Sequence, residues 1–125
     1  MKTNTVSWFE IATDDPEPVQ HFYAELFGWK FTPDEAAAQG GMDYRVITVD
    51  GGEPCGGVWA TGGRIPNHSV FSVIVRDVAQ TLARVEELGG KVVHSVIGNE
   101  NGPDFAYVLD PSAGLFGIAS APQED

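Results

Sequence analysis

Leu26-Phe27-Gly28-Trp29-Lys30 has a counterpart about 61 positions later, in Glu87-Leu88-Gly89-Gly90-Lys91. Both stretches close a helical run on glycine and open a strand. Working outward, Val6 to Phe31 reads strand, Asp-initiated helix, Gly, strand, and Val70 to Val93 reads the same way. Self-similarity at half the chain length points to two copies of one supersecondary unit. Two copies suggest a shared cleft, so the search for function starts at the inner faces of the strands.

In the first copy, Thr5 to Ile11 is aromatic and β-branched, which favours a strand. Asp14-Asp15-Pro16-Glu17 starts a helix, because a carboxylate caps free N–H groups and Pro in the first turn sacrifices no hydrogen bond. Val19, Phe22, Tyr23, Leu26 and Phe27 then recur at helical spacing, and Gly28 ends the helix. Trp29 to Thr32 reads as a strand and Pro33 to Gly41 as a loop. Tyr44 to Val49 and Cys55 to Ala60 read as strands around an Asp50-Gly51-Gly52 turn. Thr61 to Asn67 links the halves.

The second copy runs from a strand at Ser69 to Val75 into a helix capped by Asp77, with Gln80 as its capping-box partner. Val78, Leu82, Val85 and Leu88 form the apolar stripe of that helix. Strands follow at Lys91 to Ile97, Phe105 to Leu109 and Leu115 to Ala119. Each half is βαβββ, which makes the chain an α+β protein. Helices cover one side of each sheet, so the other faces must close on each other or on a second chain. The expected organisation is one domain over residues 1–125: module one at about 4–61, a linker at about 61–67 and module two at about 68–121.

The composition narrows the partners. The net charge is -11 over 125 residues, which argues against nucleic acid, since phosphate contacts need basic patches. The same field favours a cationic small molecule. No apolar run reaches the roughly 20 residues of a membrane helix, and Met1-Lys2-Thr3-Asn4 shows no apolar leader. The single Cys55 excludes an intrachain disulfide and fits a reducing, cytoplasmic setting. Disorder is expected only at the tail, Pro122 to Asp125.

Three segments carry a family resemblance: Phe22-Tyr23-Ala24-Glu25-Leu26-Phe27-Gly28-Trp29, Glu87-Leu88-Gly89-Gly90-Lys91, and Asp110-Pro111-Ser112-Ala113-Gly114-Leu115-Phe116-Gly117. In this order and spacing the chain resembles the vicinal oxygen chelate superfamily of glyoxalase I, bleomycin-resistance proteins and extradiol dioxygenases. Trp8-Phe9-Glu10 resembles a subgroup described as glyoxalase-related. The resemblance spans the chain. It implies paired βαβββ modules around a cup-shaped, barrel-like cleft, often within a homodimer, but no particular substrate.

Metal-using relatives hold a divalent ion such as Zn, Ni, Fe or Mn with His and Glu at four places, two per module. The resemblance carries those places onto Trp8 or Phe9, the pair Gly56-Gly57, Val70 or Phe71, and Gly117. None of these side chains ligates a metal, so no metal cofactor is expected. His21, His68 and His94 sit on three unrelated elements with no His-x-His or His-x-x-x-His spacing, and read as helix-surface, cleft-rim and outward strand residues.

Glu10 is the ionisable residue with most chemical promise. It stands two residues from Trp8 in an aromatic strand, so the two share a face. Because Phe9 and Ile11 are apolar too, alternation leaves open which face lines the cleft. In the cleft, burial would raise its pKa and suit it to acid–base work or to holding a cation; at a strand edge it would only meet solvent. Ser7, Ser69, Ser72 and Ser95 lack a Gly-x-Ser-x-Gly context, and Cys55 has no basic neighbour to activate it. Gly56-Gly57 and Gly62-Gly63 form no phosphate loop.

The expected function is metal-free binding of an aromatic or cationic small molecule, as in the bleomycin-resistance branch. The expected ligand residues are Trp8, Glu10, Trp59, Phe71 and Tyr107. Alternatives are a metal-dependent lyase, isomerase or dioxygenase, or a cofactorless enzyme with Glu10 as base.

Overall fold

A computed structural model describes residues 3–100 and 102–121; the expected disordered tail, Pro122 to Asp125, lies outside the described residues. The elements are β1 (Thr5–Thr13), α1 (Pro16–Phe27), β2 (Lys30–Pro33), α2 (Glu35–Gln39), β3 (Tyr44–Thr48), β4 (Gly56–Ala60), β5 (His68–Val75), α3 (Val78–Glu87), β6 (Lys91–Val96), β7 (Phe105–Leu109) and β8 (Leu115–Ser120). Apart from α2, this is two successive βαβββ runs in an α+β chain. The described residues divide into two compact units: residues 8–69, and residues 3–7 together with 70–100 and 102–121.

In the unit of residues 8–69, β1 pairs parallel with β4, while β4 with β3 and β3 with β2 are antiparallel. The core lies on one face of these strands. Ile11, Ile47 and Val58 are buried there, with Phe9, Val19, Tyr23, Trp29 and Phe31 packed against them. The motif ending α1 has a packing role. Tyr23 stacks on Trp29 at 5.2 Å between ring centroids, and Phe9 and Phe27 close on the same indole at 5.5 and 5.4 Å. Gly28 permits this turn by taking a φ of 73°, and its N–H donates to the carbonyl of Ala24.

Two local expectations change. Asp15 occupies the N-cap of α1, but its side chain caps nothing. Its backbone N–H is instead held by the Thr13 hydroxyl at 3.0 Å, and Pro16, having no N–H, leaves one donor fewer to satisfy. The stretch read as a loop contains α2, because Asp34 accepts from the N–H groups of Ala36 and Ala37 and three alanines follow. Arg45 of β3 ties α1 down, bonding Glu17 at 2.8 Å and Gln20 at 2.9 Å.

In the other unit, β5 pairs parallel with β8, and β8–β7 and β7–β6 are antiparallel. Val78 and Leu82 of α3 are buried against Val75, Ala106, Val108 and Ile118. The Asp77 carboxylate caps α3 by accepting from the N–H of Gln80 at 3.0 Å. Asp110 organises the last hairpin by accepting from the backbone of Gly114 and from Ser112; these bonds, the Gly114 N–H first, hold its carboxyl below the usual range.

Candidate functional site

Packing settles the face of β1. Phe9 and Ile11 join the core beneath α1, so alternation turns Trp8, Glu10 and Ala12 to the face away from that helix. Register adds to this face. Glu10 lies opposite Gly57 and Ala12 opposite Trp59, and Tyr44 lies opposite Trp59 on the next strand.

The centre of the face is a chain of two hydrogen bonds. The indole N–H of Trp8 donates to the Tyr44 hydroxyl oxygen at 3.0 Å, and the hydroxyl donates to Oε2 of Glu10 at 2.7 Å. Burial pushes the Glu10 carboxyl up to about 7, partly offset by the bond from Tyr44. Burial, then the neighbouring Glu10 charge, pushes the Tyr44 phenol far above its ordinary range, so it stays a proton donor. The site therefore holds a carboxyl that changes charge near neutrality, a fixed donor beside it, and the aromatic surfaces of Trp8 and Trp59.

Two consecutive glycines make room. A Cβ on Gly56 would stand 2.7 Å from the Phe9 ring, and one on Gly57 would collide with the ring and hydroxyl of Tyr44. β4 thus admits one aromatic ring on each face.

Trp8, Glu10 and Trp59, three of the five expected ligand residues, share this face. Phe71 and Tyr107 belong to the other unit, on different faces of its sheet. Phe71 follows the alternation of Val73 and Val75 and stacks on Phe116 at 5.6 Å, on the side covered by α3. Tyr107 is buried opposite Gly117, which in turn lies opposite Ser72. Tyr44 was not among the expected residues; the signal for it is Gly56-Gly57, since glycine inside a strand marks close approach of another group.

The positions that the resemblance assigns to metal ligands do not fit a divalent ion. Trp8, Phe9, Gly56, Gly57, Val70, Phe71 and Gly117 offer no side-chain donor, while such ions need several converging N or O atoms. Among the described residues no group of three or more His, Cys, Asp or Glu gathers to hold one. His21 and His94 are exposed. His68 lines an open crevice beside the start of α1, with its Nδ1 at 3.0 Å from the Pro66 carbonyl. No helix among the described residues is long and apolar enough to cross a membrane.

Comparison with known proteins agrees with this architecture. "Putative glyoxylase CFP32" of Mycobacterium bovis is 30% identical over 124 residues, covering 98% of this chain and 47% of that protein. The protein of the same name from Mycobacterium tuberculosis matches equally. The chain thus spans about half the length of the curated relatives it matches. Among solved structures, a Streptomyces coelicolor methylmalonyl-CoA epimerase variant, in complex with 2-nitronate-propionyl-CoA, superposes with a TM-score of 0.69 at 15% identity, covering 99% of both chains. The hypothetical protein BH1468 from Bacillus halodurans does so with 0.68 at 15% identity, again over 99% of both. These likenesses show the vicinal oxygen chelate fold. Residues 8–119 match the model of the glyoxalase-like domain, and the chain belongs to that family.

Proposed function

We propose that the protein binds a small, flat, amine-bearing molecule without a metal, on the face that carries Trp8, Glu10, Tyr44 and Trp59. The observation that carries this reading is the Trp8–Tyr44–Glu10 hydrogen-bonded chain. Tyr44 serves Oε2, which leaves Oε1 of Glu10 to accept from an N–H of the ligand, and the indoles offer apolar and cation–π surface. The overall charge of -11 draws cations toward the protein. Calorimetric titration with benzylamine and tryptamine tests the reading against benzoate and indole acetate. Amine binding that is lost in Glu10→Gln is expected. Equal binding of the carboxylates, or no loss in Glu10→Gln, would contradict it.

One observation favours a second reading, proton transfer by Glu10 in a cofactorless enzyme. A carboxyl held at about 7 exchanges its proton readily at neutral pH. In that case Glu10→Gln abolishes turnover while ligand binding survives.

Pairing with a second copy forms part of the same proposal. Phe22, Leu26 and Phe27 are more than half exposed on α1, whereas α3 buries Val78 and Leu82. A dimer mass in sedimentation at micromolar concentration is expected, and a monomer throughout would contradict it.

A further inference from the structure

We propose that Gly57 and Tyr44 act as a positioning pair for Glu10. The bare backbone at 57 lets the Tyr44 ring lie against β4, which aims the hydroxyl proton at Glu10 and fills the space a coordinating side chain from β4 would need. The proposal rests on the reading of Glu10 as the ligand anchor, and its own observations are geometric. Tyr44 pairs in register with Trp59, not with a residue beside Glu10. To reach Glu10 its ring must lean along β4 across Gly57, which is buried and lies opposite Glu10. A Cβ on Gly57 would strike the ring carbons and the hydroxyl oxygen together.

The direction of the hydrogen bonds follows from chemistry. An indole N–H can only donate, so the Tyr44 oxygen accepts from Trp8 and its single proton goes to Glu10. Glu10 therefore meets a donor on Oε2, a bond that favours its ionised form and offsets part of the cost of burial. It then accepts from ligand N–H or O–H groups and repels carboxylates and phosphates. Where the resemblance carries a metal-ligand place onto β4, this chain has Tyr44 in that volume. A side chain at 57 and Tyr44 in its present position exclude one another. The pair thus turns the face toward hydrogen-bond donors over anions, through a tyrosine 34 residues away in sequence from the carboxylate it serves.

The test reads Glu10 directly, by carboxyl NMR titration of the full chain, and needs no ligand. Tyr44→Phe keeps the ring and removes the proton. The Glu10 midpoint is expected to rise by about one to two pH units, the worth of a hydrogen bond to a charged group. Gly57→Ala displaces the ring and is expected to raise the midpoint likewise. If that variant fails to fold, adding Tyr44→Ala makes room for the new Cβ, and the double variant is expected to recover the fold. An unmoved midpoint in Tyr44→Phe or in a folded Gly57→Ala, or a double variant that still fails to fold, would overturn the proposal. A raised midpoint in a protein that binds no amine would instead refute the ligand reading and leave the positioning pair standing.

Discussion

The phenolic oxygen of Tyr44 lies 2.7 Å from Oε2 of Glu10, across 34 residues of sequence. This bond joins the first and third strands of one unit, with the bare Gly57 of β4 between them. A carboxyl held in this way has consequences that can be measured in the folded protein.

Glu10 links stability to pH. Its folded value of about 7 lies above the ordinary 4.5, so the folded state holds a proton that the unfolded chain has released. The stabilisation is complete below about 4.5 and is lost as pH rises to about 7, in total on the order of 3 kcal/mol. Glu10→Gln is expected to remove this decline, so that the variant gains on the parent between pH 5 and pH 8. Urea denaturation at the two pH values checks it, and parallel curves would contradict it.

Amine binding should follow the same ionisation. With a midpoint near 7, Glu10 is about one-tenth ionised at pH 6 and about nine-tenths at pH 8. Benzylamine, protonated throughout, is therefore expected to bind about tenfold more tightly at pH 8. Calorimetry at both pH values decides this, and a flat profile would remove Glu10 from the contact.

Ile47 is fully buried in one cluster with Ile11 and Val58. Ile47→Ala is expected to cost about 2–5 kcal/mol through lost burial and the cavity left behind. Chemical denaturation measures it; a cost under about 1 kcal/mol would mean that this core is loose.

Gly28 has open space around its missing Cβ but a φ of 73°. Gly28→Ala is expected to cost about 1–2 kcal/mol from backbone conformation alone. A neutral effect in the thermal midpoint would show that the α1–β2 turn adapts freely.

The repeat made the fold legible, because Gly28 and Gly89 punctuate two equivalent helix-to-strand passages. Helix α2 was hidden by its brevity: five residues carry no periodicity, and only the cap from Asp34 reveals it. Glu10 stood out in the sequence, but its face did not, since Phe9 and Ile11 are as apolar as Trp8; packing under α1 decided it. Phe71 and Tyr107 looked alike as strand aromatics, and only register separates a residue stacked on Phe116 from one opposite Gly117. Tyr44 escaped notice because its role depends on a non-neighbouring strand and on what Gly57 lacks.

The most direct test of the account is the carboxyl NMR titration of Glu10 in the unmodified protein, assigned by the signal that disappears in Glu10→Gln. A midpoint near 7 is the expected result. A midpoint near 4.5 would mean that Glu10 is solvated and would remove the buried Tyr44–Glu10 pair on which the site is built.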